Sequence, residues 1–316
     1  MKKWYWLAGL AVVLCCVLLL MRFCSTKDVA IHNGKSSNIA DVFTSEIHNA
    51  DLTQEIPDID SSADDDTSKY TPTNNKVIDA DSVETSNTQD KIHGWGLVRN
   101  KNNQPPQPSK GQKELLENHG GKYLGDTSKK VIYLTFDEGY ENGYTPVILD
   151  TLKQKNVSAC FFITGPYLKS HSDLVQRMVE EGHTVGNHTV NHPSLPTVSD
   201  EKVENEVIEL DRVFTEKFGK SMRFLRPPKG EFSERTLKIT QRIGYTNVMW
   251  SFAYADWDIN NQKGADYAHQ IVTDNLHNGA IILLHAVSKD NANALGRIVD
   301  TARQLGYEFG SIENIS

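Results

Sequence analysis

The chain has 316 residues with ordinary apolar and charged fractions, room for one large domain with appendages, and a net charge of −8. No basic stripe is present, which excludes a nucleic-acid surface as the main business of the chain. Three of its four cysteines, Cys15, Cys16 and Cys24, lie in or beside one apolar run, so Cys160 stands alone in the rest of the chain and no disulfide framework is available.

Trp4 to Met21 is an uncharged apolar run preceded by Lys2 and Lys3. As a helix it rises about 27 Å, close to the ~30 Å of a hydrocarbon core. It is longer than the apolar region of a cleaved secretory signal, and no small-x-small site comes after it. A retained membrane anchor over residues 1–27 is therefore expected, with secretion after cleavage as the alternative. Either way, the chain beyond residue 27 is exported, and a single-pass protein with its domain on the outer side of the cell membrane is expected. Met21-Arg22-Phe23 lacks the small residues that lipid modification of Cys24 would need.

Residues 28–90 carry 14 acidic and 3 basic side chains among Ser, Thr and Asn, with no sustained apolar period. This predicts a solvated tether. The chain's acidity belongs to it, because residues 91–316 are nearly neutral.

From residue 131 onward, short β-branched or aromatic runs alternate with longer amphipathic stretches, the pattern of parallel βα units. Candidate strands are Val131 to Phe136, Ala159 to Thr164, Thr184 to Gly186, Phe224 to Arg226, Thr246 to Trp250 and Ile281 to Leu284. The clearest helix starts at a Ser199 N-cap, has Asp200 and Glu201 in its first turn, and stops at Gly219. Its apolar stripe is Val203, Val207, Leu210, Phe214 and Phe218. Other helices are expected after Pro146, Ser172, Ser233 and Gly264. About seven such units, with no Gly-rich phosphate loop after the first strand, suit a deformed (β/α) barrel better than an open doubly wound sheet.

The residues just past these strands are Asp137-Glu138-Gly139, Asn187 to His192, Arg226-Pro227-Pro228, Asp256-Trp257 and His285. In a parallel barrel all of them reach the C-terminal face, where active sites are built. His188 and His192 share one face if their segment turns helically, so both can offer a ring nitrogen to one metal ion. Asp137 and Glu138 add carboxylates, giving three protein ligands with one acid left over; a polar turn is the plainer reading of two adjacent acids before a glycine. Arg226, before two prolines, can hold a carboxylate by a bidentate contact. His285 ends the apolar run Ala280 to Leu284, and Asp256 is the acid that would control its protonation. His183 leads into a strand and reads as structural, and Cys160 as a buried, inert thiol.

Thr135-Phe136-Asp137-Glu138-Gly139 resembles the Thr-Phe-Asp-Asp-Gly motif of the polysaccharide deacetylases, the carbohydrate esterases that share the nodulation-protein deacetylase domain. His188 to His192, Arg226-Pro227-Pro228, Asp256-Trp257 and Leu284-His285 are similar to the family's other four motifs in order and approximate spacing. The resemblance covers roughly residues 91–316. It implies a deformed (β/α) barrel, a divalent metal, zinc before cobalt or manganese, and hydrolysis of N-acetyl groups on glycans. It also implies the roles: Asp137 as base, aligned by Arg226; His188 and His192, with Glu138, as metal ligands; His285 as acid, held by Asp256. Trp257 and Tyr140 are candidate sugar-stacking surfaces.

Longer segments resemble the subgroup that deacetylates muramic acid on the way to muramic δ-lactam in spore cortex peptidoglycan. They are Gly94-Trp95-Gly96 with Gln104-Pro105-Pro106, Gly139 to Thr145, Asn260 to Gly264, and Leu284 to Ala292. One departure stands out: the family has Asp, and this subgroup often Asn, where this chain has Glu138. The expected enzyme is monomeric and acts on the peptidoglycan glycan strand. The alternatives are an N-acetylglucosamine deacetylase of the vegetative wall and a catalytically inactive wall-binding module.

Overall fold

The computed structural model describes residues 90–100 and 102–315. The expected anchor and all but the last residue of the tether lie outside them, and among the described residues no helix is long and apolar enough to cross a membrane.

Six parallel strands form one continuous path: β1 (Val131–Glu138), β2 (Cys160–Ile163), β3 (Thr184–Asn187), β4 (Phe224–Leu225), β5 (Thr246–Asn247) and β6 (Ile281–His285), in the spatial order β6-β1-β2-β3-β4-β5. A seventh, β7 (Glu308–Phe309), is also parallel and shares an edge of β1 with β2: it pairs Val131 and Ile132, while β2 pairs Thr135 to Glu138. The result is an α/β half-barrel, with the expected count of about seven parallel strands. Just past β5, over residues 248–252, the chain is irregular and runs beside β6. There Ser251 and Phe252 donate their N–H groups to the Ile281 carbonyl, and Leu283 N–H donates to that of Phe252.

The helices on the outside begin and end where the sequence signals stand. Ser199 caps α5 (Asp200–Phe218) by accepting from Lys202 N–H, and Gly219 closes it at φ 65°. Ser233 and Thr236 form a capping box on α6 (Glu234–Arg242). The remaining α-helices among the described residues are α1 (Gln112–Asn118), α2 (Thr145–Lys155), α3 (Gly165–Ser170), α4 (Ser172–Glu180), α7 (Ala265–Thr273) and α8 (Lys289–Gln304).

Period-two alternation sorts each strand between two cores. Leu134, Phe136, Phe161, Ile163, Ile282 and Leu284 pack outward under the helices. Tyr133, Cys160, Phe162, Phe224, Val248 and Ile281 fill the inside. Cys160 is buried there as expected, with its thiol pKa pushed up by burial.

Three strands, β2, β4 and β5, are shorter and three, β1, β3 and β6, longer than the sequence predicts. β5 stops at Asn247 because the next two carbonyls, of Val248 and Met249, turn to the Arg226 guanidinium. β4 stops at Leu225, so Arg226 lies just past its end. β1 runs two residues further than expected, through both acids, and that extension decides where Glu138 points.

Candidate active site

Asp137 has the parity of Tyr133 on β1 and therefore faces the inside of the half-barrel. Arg226 Nη1 donates to Asp137 Oδ1 at 2.8 Å. The guanidinium is fully buried, lies 4.2 Å from the centre of the Phe162 ring, and donates also to the Val248 and Met249 carbonyls at 3.1 and 3.4 Å. The expected bidentate grip on the carboxylate is thus replaced by a single contact, because the other donors are taken up by backbone carbonyls. Room for this stack comes from Gly186, where a Cβ would sit 2.5 Å from the Phe162 ring.

Burial works to raise the Asp137 pKa, but the Arg226 charge, with those of His188 and His285, holds it below the ordinary carboxylate value. The group stays ionised, as a base must.

His188 and His192 do meet, though not on a helix. Thr189 and His192 adopt left-handed backbone, φ 67° and 56°, and fold the segment into a tight turn. Three side chains pin that turn. Asn187 Oδ1 accepts from Thr189 N–H, Thr189 Oγ1 accepts from His192 N–H, and the Glu206 carboxylate takes both N–H and Nδ2 of Asn191. The two Nε2 atoms end 3.2 Å apart. His188 Nδ1 donates to the Arg226 carbonyl at 2.7 Å, which leaves its Nε2 with a bare lone pair. Burial lowers the His188 pKa to about 4 against the pull of Asp137, and burial lowers that of His192 as well. Two neutral imidazoles whose Nε2 atoms converge, with Asp137 Oδ2 3.6 Å from His188 Nε2, suit a divalent cation.

Glu138 is not part of this arrangement. One residue on from Asp137 in a continuous strand, it points to the opposite face. Its Oε2 lies 3.5 Å from Thr145 Oγ1 at the start of α2, and its Oε1 is buried without a partner. Burial, with Glu141 and Asp137 nearby, raises its pKa well above the usual range. The carboxylate expected as third ligand thus faces away from the two histidines, and among the described residues no set of three His, Cys, Asp or Glu side chains gathers around one point.

His285 is the direct ladder partner of Asp137 and faces the same way. Its Nδ1 donates to Asp256 Oδ1 at 2.7 Å, and its backbone N–H donates to Oδ2 at 2.8 Å. Burial opposes the charged imidazolium, yet the hydrogen bond and charge of Asp256, aided by Asp137, raise the pKa overall. Tyr140 and Trp257, on the loops after β1 and after Asp256, are 51% and 59% exposed, as sugar-stacking surfaces would have to be. His183 sits at the start of β3 with its Nδ1 on Ala159 N–H, away from the cluster and structural as expected.

Asn187, Glu206 and Asn291 also support the site and were not singled out from the sequence. Glu206 did leave a signal: it is a charged residue three after Val203, in phase with the apolar stripe of α5, and it is buried.

The family model for polysaccharide deacetylase matches residues 124–248. The peptidoglycan-N-acetylmuramic acid deacetylase PdaA of Bacillus subtilis is 46% identical over 222 residues, spanning 70% of this chain and 84% of that protein. An uncharacterized 30.6 kDa protein of Geobacillus stearothermophilus is 51% identical over 225 residues, 71% of this chain and 84% of that one. The solved structure of Bacillus subtilis PdaA, a family 4 carbohydrate esterase, matches with a TM-score of 0.70 at 45% identity, over 71% of this chain and 97% of the other. With its motifs gathered at one end of the half-barrel and these relatives beside it, the chain belongs to the polysaccharide deacetylase family.

Proposed function

We propose that the chain is a metal-dependent peptidoglycan deacetylase that hydrolyses the N-acetyl group of N-acetylmuramic acid, releasing acetate and leaving a free amine. The observation that carries this reading is the pairing of Asp137 and His285 across one ladder step, beside the converging His188 and His192 rings. The identity to PdaA supports muramic acid as the sugar. We read the fold as a deformed barrel in which residues 248–252 stand in for a strand.

His188 and His192 hold the cation in this reading, and two imidazoles with oxygen donors favour zinc. A cation there supplies Lewis-acid polarisation of the acetyl carbonyl and lowers the pKa of water toward ~7. The protein's own groups do the proton work. Asp137, kept ionised by Arg226, accepts the proton of the attacking water. His285, kept protonated by Asp256, donates from Nε2 to the departing amine. Such positioned acid–base groups typically contribute about 10²–10⁴ in rate. Trp257 and Tyr140 offer faces for sugar rings.

The anchor over residues 1–27 and the acidic tether over 28–90 belong to the same proposal. Together they hold a monomeric domain on the outer side of the cell membrane, within reach of the wall, and the substrate points to cortex-type peptidoglycan during sporulation. The test is acetate release from purified peptidoglycan with and without prior removal of stem peptides, combined with analysis of which sugar carries the free amine. Free amines on muramic acid are expected. Free amines on glucosamine alone would replace the reading with that of a vegetative-wall enzyme.

A further inference from the structure

The acid end of the site contains a clamp that the catalytic roles of Asp137 and His285 do not use. Asn291 is the third residue of α8, is 1% exposed, and donates its backbone N–H to the capping Oγ of Ser288. Its side-chain Nδ2 donates to Asp256 Oδ2 at 2.5 Å and to the His285 carbonyl at 3.2 Å, while its Oδ1 accepts from Tyr254 OH at 2.5 Å. Two oxygen acceptors on one side fix which end of the amide faces Asp256, since the flipped amide would set oxygen against oxygen. Asp256 itself, 1% exposed, then meets only donors: His285 Nδ1 on Oδ1, and His285 N–H with Asn291 Nδ2 on Oδ2.

We propose that Asn291, oriented by Tyr254, is a positioning residue for the proton donor: by holding Oδ2 of Asp256 it keeps Oδ1 as the acceptor of His285 Nδ1–H, so that the second, transferable proton of the imidazolium sits on Nε2, facing the substrate. The inference rests on the reading of His285 as the acid. As the C–N bond breaks, its electron pair stays on the sugar nitrogen, which takes the Nε2 proton, and the carbonyl of acetate reforms. A carboxylate with one donor fewer on Oδ2 can turn about its own bond, and the imidazole then loses the partner that fixes its tautomer. The chemistry of proton delivery suffers while sugar binding does not.

The experiment compares two reactions of the same metal-loaded protein: acetate release from peptidoglycan freed of stem peptides, whose amine must be protonated to leave, and hydrolysis of 4-nitrophenyl acetate, whose phenolate leaves without a proton. Asn291→Ala is expected to lower kcat on the glycan about 10–100-fold, as loss of a supporting hydrogen bond typically does. KM should stay within about twofold, the signature of a lost transition-state interaction. Ester hydrolysis should fall far less. Tyr254→Phe, which removes only the hydroxyl that orients Asn291, should show the same split more weakly and covers the case in which the alanine variant folds poorly. His285→Ala should show the split most strongly, and adding Asn291→Ala to it should cost nothing more, because both act through one proton. Equal losses on both substrates in Asn291→Ala and Tyr254→Phe, or additivity with His285→Ala, would overturn the clamp while leaving His285 as the acid. Equal losses in His285→Ala itself would overturn the acid assignment on which the clamp depends.

Discussion

Asp137 and His285 are direct partners in the parallel ladder between β1 and β6, so their side chains leave the sheet on the same face, with Arg226 behind the first and Asp256 behind the second. Each is biased toward the form its task requires: Asp137 is held below the ordinary pKa and His285 above it. A base ionised and an acid protonated over the same pH interval is the condition for both to act in one turnover.

Asp137→Asn tests the base. The amide keeps the shape and can still accept from Arg226, but it cannot take a proton from water. Loss of turnover by about 10²–10⁴ is expected, with zinc content by elemental analysis unchanged. Activity close to wild type would remove Asp137 from that role.

Arg226→Met should move the acid limb of the kcat/KM profile to higher pH. Without the guanidinium, the burial that already works to raise the Asp137 pKa is no longer offset. A carboxylate with a depressed folded pKa contributes stability above its unfolded pKa, and that contribution is lost as pH falls through the folded value. The variant should therefore lose more stability at neutral pH than in acid. Removing one partner of a buried pair costs about 3–5 kcal/mol, and denaturant titrations at both pH values check the difference.

Asp256→Asn addresses His285. The hydrogen bond and charge of Asp256 are what lift the imidazole pKa against burial, so the variant's basic limb should move to lower pH. A raised folded pKa contributes stability that is full below the unfolded pKa and is lost as pH rises through the folded one. The stability gap between wild type and variant should accordingly be widest in acid and close as pH rises. A gap that widens with pH would contradict the assignment.

Much of this site was legible because its residues sit where strand periodicity ends. The β1, β3 and β6 runs and the caps at Ser199 and Ser233 could be read from pattern and turn chemistry, and the ends of those strands named Asp137, His188 and His285. What escaped depends on contacts between elements. The short β5 results from how Arg226 draws in carbonyls 22 and 23 residues away, which local propensity does not encode. The histidine turn is set by Glu206 on a helix. Helical spacing suggested the right pair for a geometry that the chain reaches instead through two left-handed residues.

Glu138→Gln probes the site position whose side chain the sequence placed on the metal and the structure places on the other face of β1. The sequence led us to expect a third metal ligand. The structure continues β1 through Glu138, and a continuous strand sends neighbouring side chains to opposite faces. Its carboxyl sits beside Thr145, with Oε1 unpartnered. Gln has nearly the same shape and no charge, so zinc affinity by calorimetric titration should be unchanged, and deacetylation should stay close to wild type. The stability change has a definite sign. Burial and the nearby Glu141 and Asp137 raise the Glu138 pKa in the folded state, so folding takes up a proton and stability falls as pH rises from the unfolded pKa toward the folded one. Glutamine removes that dependence. Wild type and variant should match in acid, and the variant should gain in relative stability toward alkaline pH. A strong loss of zinc affinity in Glu138→Gln would mean that the carboxylate swings around the strand end to the histidines when the cation binds, and the two-histidine site would then have to be redrawn with Glu138 in it.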